Sequence, residues 1–294
     1  GNWPTMAASA IPYKPANAAP KAMDRADMDR VKAEFVAATE MAARAGVDMI
    51  EMHAAHGYLI SQFLSPLTNQ RSDQWGGSAE NRRRFVLEVY RAMRAEVGAA
   101  FPIGIKLNSA DFQQGGFSED ESLAVIQALH EGGIDLVELS GGTYEAPAMS
   151  DQKRHRASTL AREAYFLEFA EKVRAAVPVP LMVTGGFRSL GGMATALSSG
   201  AMDLIGLARG LAIEPDLPQR LLAGHEPQYA VRPISTGIKA IDRMALMEVV
   251  WYSRQLRRMA KGQAPKPNES GLWSFCANLL HNGVGTWKTR RLRA

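Results

Sequence analysis

Two histidines, His53 and His56, stand three residues apart in the stretch EMHAAHGYL, and Tyr58 follows two residues later. The other four histidines, His130, His155, His225 and His281, show no such partnering. Imidazoles at this spacing can aim two donors at one oxygen, hold a metal ion, or cap a strand. A phenol held within reach of a reacting atom can serve as a general acid. Two further features have chemical potential. Lys106 lies between Ile105 and Leu107, where a cation is a poor choice for core packing alone. The other is Gly185-Gly186 with Arg209, next to Ala208, though two glycines in a loop mean little on their own.

The elements that must position these residues follow a rhythm. AGVDMIEMH from Ala45, GGIDLVELS from Gly132 and GAMDLIGLA from Gly200 each close a helical stretch with glycine, add an aspartate, and run on mainly apolar. Glycine suits the residue after a helix. The short apolar run that follows predicts a strand buried on both faces of a parallel sheet. Two more strands are predicted at Pro102–Leu107 and Pro180–Thr184. Helices are predicted before and between them. One carries Val31, Phe35, Ala38, Met41 and Ala45 at helical spacing, and two span Ala79–Val97 and Leu160–Val177. Another begins at Ser118, with Glu119, Asp120 and Glu121 in its first turn.

Strict alternation of helix and strand predicts a parallel α/β fold, either a barrel or a doubly wound sheet. No G-x-G-x-x-G follows any predicted strand, which disfavours a dinucleotide-binding Rossmann unit. A (β/α)8 barrel places its chemistry at the C-terminal strand ends. Those ends carry His53, His56 and Tyr58, then Lys106, Asn108 and Asp111, then Ser140-Gly141-Gly142, then Gly185-Gly186, then Arg209.

Composition narrows the classes. The chain has 294 residues, 46% of them hydrophobic, enough for one large domain or two smaller ones. Its net charge is +4, with basic residues scattered except near the C-terminus, so nucleic acid is not an expected partner. The single cysteine, Cys276, excludes an internal disulfide framework or an all-cysteine metal or iron–sulfur site within one chain, and fits a reducing, cytoplasmic setting. No apolar run approaches the roughly 18 residues of a membrane span, and no signal segment is evident. The chain opens Gly1-Asn2-Trp3-Pro4, without an initiator methionine, which points to processing or to a piece of something longer.

The block HAAHGYLISQFLSPLTNQRSDQWGGSAENRRRF, His53 to Phe85, resembles the signature of the old yellow enzyme family of FMN-dependent ene-reductases. The resemblance continues through KLNSADF, VELSGG, VTGGF and LARG and covers about residues 1–265. It implies a (β/α)8 TIM barrel of which this chain carries about strands four to eight. Residues 1–265 would then be the C-terminal part of a barrel flavin domain, and 266–294 a tail forming a surface helix or a homo-oligomer contact. The family's first three strands, with a flavin-contacting residue and a glutamine on the third, find no match here. Five strands cannot close an eight-stranded barrel, so the expectation is a C-terminal fragment.

The same resemblance implies roles. His53 and His56 would hydrogen-bond the substrate's carbonyl or nitro oxygen, and Tyr58 would deliver a proton to the alkene carbon. Lys106 would sit near flavin N1 and O2, where the family commonly has a basic residue, often arginine. Gly185, Gly186, the Ala208 backbone and Arg209 would hold the FMN phosphate. Hydride would pass from NADH or NADPH to FMN, then to an electron-poor alkene, with ping-pong kinetics. Arg71, Asp73, Gly76, Gly77, Ser78, Asn81 and Arg82 belong to the signature but read as structural, with Ser78 a helix cap and Arg71 paired to Asp73. Alternatives are a flavin enzyme of the same fold acting on acyl-CoA or with oxygen, an inactive fragment or partner subunit, and a metal-dependent barrel hydrolase using His53 and His56.

Overall fold

A computed structural model describes residues 4–142, 166–229, 232–244 and 247–282. The described residues form two compact units, one within 4–187 and 192–206, the other within 188–191 and 207–282.

The first unit contains a short parallel pair, β1 (Met6–Ala7) and β2 (Lys21–Ala22), and a five-stranded sheet. The sheet strands are β3 (Ile50–Ala54), β4 (Ile103–Asn108), β5 (Leu136–Ser140), β6 (Leu181–Thr184) and β7 (Leu204–Gly206). All neighbours are parallel, and their order in space is their order in sequence. A doubly wound sheet reverses its strand order at a switch point. None occurs among these five, so the winding is that of a barrel wall. The strands predicted to start at Pro102 and Pro180 begin one residue later, because proline has no N–H for the ladder.

Helices Arg25–Arg44, Ala79–Val97 and Glu119–Glu131 precede β3, β4 and β5. Each has a side-chain cap: Asp24, Ser78 and Ser118 accept from the backbone N–H three residues on. Ser118 and Glu121 complete a capping box. The helix predicted over 160–177 is present as Leu167–Ala176, its predicted first turn lying outside the described residues.

Register separates the sheet into two chemically different faces. Ile105 pairs with Val137 and Val137 with Leu181, while Leu107 pairs with Leu139 and Leu139 with Val183. All are fully buried. Alternate positions point the other way. His53 aligns with Lys106, Lys106 with Glu138, and Glu138 with Met182; one pair further on, Asn108 aligns with Ser140. The expected burial on both faces holds for β4 and β5, where Asn108, Glu138 and Ser140 are buried, yet one of the two faces is largely polar.

The repeated aspartate of the sequence rhythm has a structural cause. Asp135 Oδ2 accepts from Ile103 N–H at 2.7 Å and Asp203 Oδ2 from Leu181 N–H at 2.8 Å, so each caps the start of the preceding strand. Arg94 pairs with Asp135 and Arg174 with Asp203, each from the last turn of the helix that leads into the capped strand. Arg174 also donates to Val179 O at 3.1 Å. The result is two copies of one latch at the N-terminal end of the sheet.

The signature loop after β3 is held in the same hydrogen-bonded manner. Asn69 Nδ2 donates to Phe63 O and Trp75 O at 2.7 Å each. Arg71 pairs with Asp73 and donates to Ala8 O and Met23 O at 3.0 and 2.7 Å. Buried Arg82 donates to Leu64 O at 2.9 Å, to Gly77 O and to Glu121.

In the second unit, helices Met247–Met259 and Gly271–Asn282 share a core of Ile213, Ile234, Met247, Trp251 and Phe275. Trp251 Nε1 donates to Glu269 O at 2.9 Å. No described helix is long and apolar enough to cross a membrane.

Candidate active site

The chain leaves β3 at Ala54 and turns sharply before helix Leu59–Leu64. His56 takes φ 62° and Gly57 φ 78°. The left-handed region is natural for glycine and uncommon for histidine, so the turn at His56 needs support. Asn108, at the end of β4, provides it: its Oδ1 accepts the His56 backbone N–H at 3.1 Å. The turn brings three rings together. The His53 ring centroid lies 5.3 Å from that of His56 and 5.1 Å from that of Tyr58. Tyr58 is 46% exposed.

Both imidazoles are biased toward the neutral form. Burial lowers the His53 pKa, and the charge of Lys106 adds to the effect. His56 is pushed down to about 4, chiefly by burial, then by His53 and Lys106. A neutral imidazole keeps one N–H to donate and brings no charge of its own.

Beside His53 on the same face, the Lys106 ammonium donates to Glu138, and the two form an ion pair. Burial is the largest single influence and pushes the Glu138 carboxyl up, but hydrogen bonds, led by that from Lys106, together with the Lys106 charge outweigh it and leave the group below its usual range. Glu51, two residues before His53, shows the opposite shift. The residue is exposed on edge strand β3, yet its carboxyl is withdrawn enough from water for burial to be the leading cause. A hydrogen bond with Glu138 and that group's charge add to it, Lys106 opposes, and the result is a rise to about 7. Lys106 was singled out in the sequence; Glu51 and Glu138 were not. The same signal marks all three, a charged residue flanked by apolar ones within a strand.

A pH prediction follows. The Glu51 pKa is raised from 4.5 to about 7 in the folded chain. Its stabilising contribution is complete below the unfolded value and is lost as pH rises through the folded one. The charged groups acting on it are Glu138 and Lys106. The lowered His53 and His56 pKa values act in the opposite sense over nearly the same range, so the readout is the difference between the wild type and Glu51→Gln. The melting temperature of the wild type relative to that variant is expected to fall as pH rises from mildly acidic to neutral. Parallel pH profiles for the two proteins would show that Glu51 holds no such proton.

At the end of β6, Gly185 and Gly186 have φ 121° and 94°, a backbone path closed to most side chains. They belong to the first unit, with His53, His56, Tyr58 and Lys106. Ala208 and Arg209 belong to the second, where Arg209 Nη1 lies 3.7 Å from Glu248 Oε2. Among the described residues, no three or more of His, Cys, Asp and Glu gather as a metal-ligand group.

Comparison with known proteins gives this arrangement a context. The sequence model of the NADH:flavin oxidoreductase / NADH oxidase family matches residues 5–228. The chain is 38% identical over 260 residues to the NADH-dependent flavin oxidoreductase iccE of Talaromyces variabilis, covering 82% of this chain and 62% of that protein. It is 42% identical over 211 residues to the NADH-dependent flavin oxidoreductase nadA of Aspergillus parasiticus, covering 71% and 47%. The chain thus spans less than two thirds of these relatives' length. Among solved structures, the old yellow enzyme homologue from Zymomonas mobilis superposes with a TM-score of 0.60 at 22% identity, over 77% of this chain and 63% of that one, a likeness of fold. Its α/β architecture, its parallel barrel-wall sheet and the match over residues 5–228 agree: the chain belongs to the NADH:flavin oxidoreductase / NADH oxidase family.

Proposed function

We propose that the protein to which this chain belongs reduces the C=C bond of an electron-poor alkene, of the α,β-unsaturated carbonyl type, with hydride taken from NADH. The observation that carries this reading is the pair of imidazoles, His53 and His56, with ring centroids 5.3 Å apart, His53 lying beside Lys106 on the polar sheet face. NADH is preferred as donor because both fungal relatives are named for it.

The residues present fit FMN. The consecutive glycines, Gly185 and Gly186, offer an uncluttered backbone to a phosphate, and Lys106 offers a cation to the electron-rich edge of a ring. Gly185 and Gly186 would hold the FMN phosphate and Lys106 would face the flavin ring, and the bound group would supply hydride transfer. The chain's own residues do the rest. His53 and His56 each direct an N–H at the substrate oxygen, drawing electron density out of the alkene and stabilising the enolate-like charge that develops. Being neutral, they donate without giving up a proton. Tyr58, exposed at the mouth of the turn, supplies the proton to the remaining carbon. The cytoplasm is the proposed setting, on the strength of the single cysteine.

The test is a visible spectrum of the purified chain after mixing with FMN and desalting. A retained yellow band that bleaches under NADH and returns on adding cyclohexenone is the expected result. An activity that is hydrolytic and sensitive to chelators would overturn the reading, as would a protein of the relatives' full length that retains no flavin and reduces no enone.

A further inference from the structure

We propose that Ser140 and Asn108 are positioning residues that lock His56 so that its Nδ1–H is the donor offered to the substrate oxygen. The inference rests on the role assigned to His56 above, and it concerns which of the two ring nitrogens carries the proton.

Two contacts from two different strands fix this histidine. Asn108 ends β4 and is 1% exposed. Its Oδ1 accepts the His56 backbone N–H at 3.1 Å, and its Nδ2 donates to Gly142 O at 3.1 Å and toward Asp111 Oδ1 at 3.4 Å. Its own carbonyl accepts from the Ser122 hydroxyl at 2.8 Å. The Asn108 side chain therefore cannot turn without breaking contacts to the loops after both β3 and β5. It holds the His56 backbone in its left-handed conformation, φ 62°, which a histidine does not keep unaided.

The ring is fixed separately. His56 Nε2 lies 2.8 Å from Ser140 Oγ, at the end of β5, and Ser140 is fully buried. A neutral imidazole has one N–H and one bare nitrogen, and burial favours the neutral form here. If the Ser140 hydroxyl donates to Nε2, the proton must reside on Nδ1, and Nδ1–H remains as a donor. If instead Nε2–H donates to Ser140, Nδ1 is bare and presents a lone pair to any carbonyl oxygen, repelling the group that His56 is meant to polarise. Only the first arrangement lets His56 work. A partner on one ring nitrogen is the usual way a protein chooses the tautomer.

The experiment is long-range proton–nitrogen NMR on the full chain with 15N-labelled histidine at neutral pH, for the wild type, Ser140→Ala and Ser140→Thr. The wild type is expected to show a pyrrole-type Nδ1 and a pyridine-type Nε2 at His56. Ser140→Ala is expected to shift the proton toward Nε2, the site favoured in water, and Ser140→Thr to restore the wild-type pattern. In the flavin-loaded protein, Ser140→Ala should lose about tenfold in kcat/KM for an enone, as expected when a supporting hydrogen bond is removed. A wild-type signature of Nε2–H would overturn the proposal whatever the flavin does, as would an unchanged tautomer in Ser140→Ala. An Nδ1–H signature in a flavin-loaded protein that reduces no enone would instead overturn the ene-reductase reading and leave the proton where the proposal puts it.

Discussion

Replacing His53 and His56 together with alanine is expected to lower kcat/KM for a cyclic enone by roughly 10²–10³, the range for removing preorganised donors to a developing oxyanion. The retained flavin band should be unaffected, because Gly185 and Gly186 lie at the end of a different strand. His56→Ala is expected to be the more damaging single change, since His56 is anchored by Asn108 and Ser140. If the two rings serve one oxygen, the single losses will not add: once one donor is gone the substrate shifts, and the second loses part of its effect. Stopped-flow measurement of flavin reoxidation by the enone isolates the step concerned. A double variant within threefold of wild type in that step would return the pair to the role of a strand cap.

Arg82→Met is expected to destabilise the first unit by about 3–5 kcal/mol, the range for breaking a buried ion pair from one side. Arg82 is 6% exposed and its guanidinium reaches Leu64 O, Gly77 O and Glu121. Methionine fills similar volume, so the loss would come from two stranded carbonyls and an unpaired carboxylate rather than from a cavity. Lysine is expected to recover little, because it brings a point charge where a planar fork is required. Urea unfolding followed by circular dichroism gives the comparison. A midpoint close to wild type for Arg82→Met would mean that solvent satisfies these groups.

How far the sequence could be read depended on whether the signal was local. Helix Ala79–Val97 was legible to the residue, since Ser78 caps one end and Gly98, at φ 75°, closes the other. His53, His56 and Tyr58 were legible because a short turn holds all three. The contact between His56 and Ser140 was not, for 84 residues separate them and only the β3-β4-β5 order brings them together. Glu51 and Glu138 escaped notice for another reason. Their strands contain enough Ile, Met, Leu and Val to read as continuous apolar runs, and the two-residue alternation that exposes a polar face is visible only once register is known. The core around Trp251 was equally hidden, because it joins segments of weak periodicity through a tryptophan N–H bonded to the carbonyl of Glu269.

The two Asp–Arg latches bear on how this fold can diverge. Asp135 and Asp203 secure strands where they begin, whereas Asn108 and Ser140, and His56 just beyond β3, stand where strands end. Strand alignment and reactivity are thus encoded by separate sets of residues, with the length of a strand between them. Substitutions that retune the substrate can accumulate at one rim while the other keeps the ladder in step. A mutational library restricted to the C-terminal rim should therefore yield a high fraction of folded proteins.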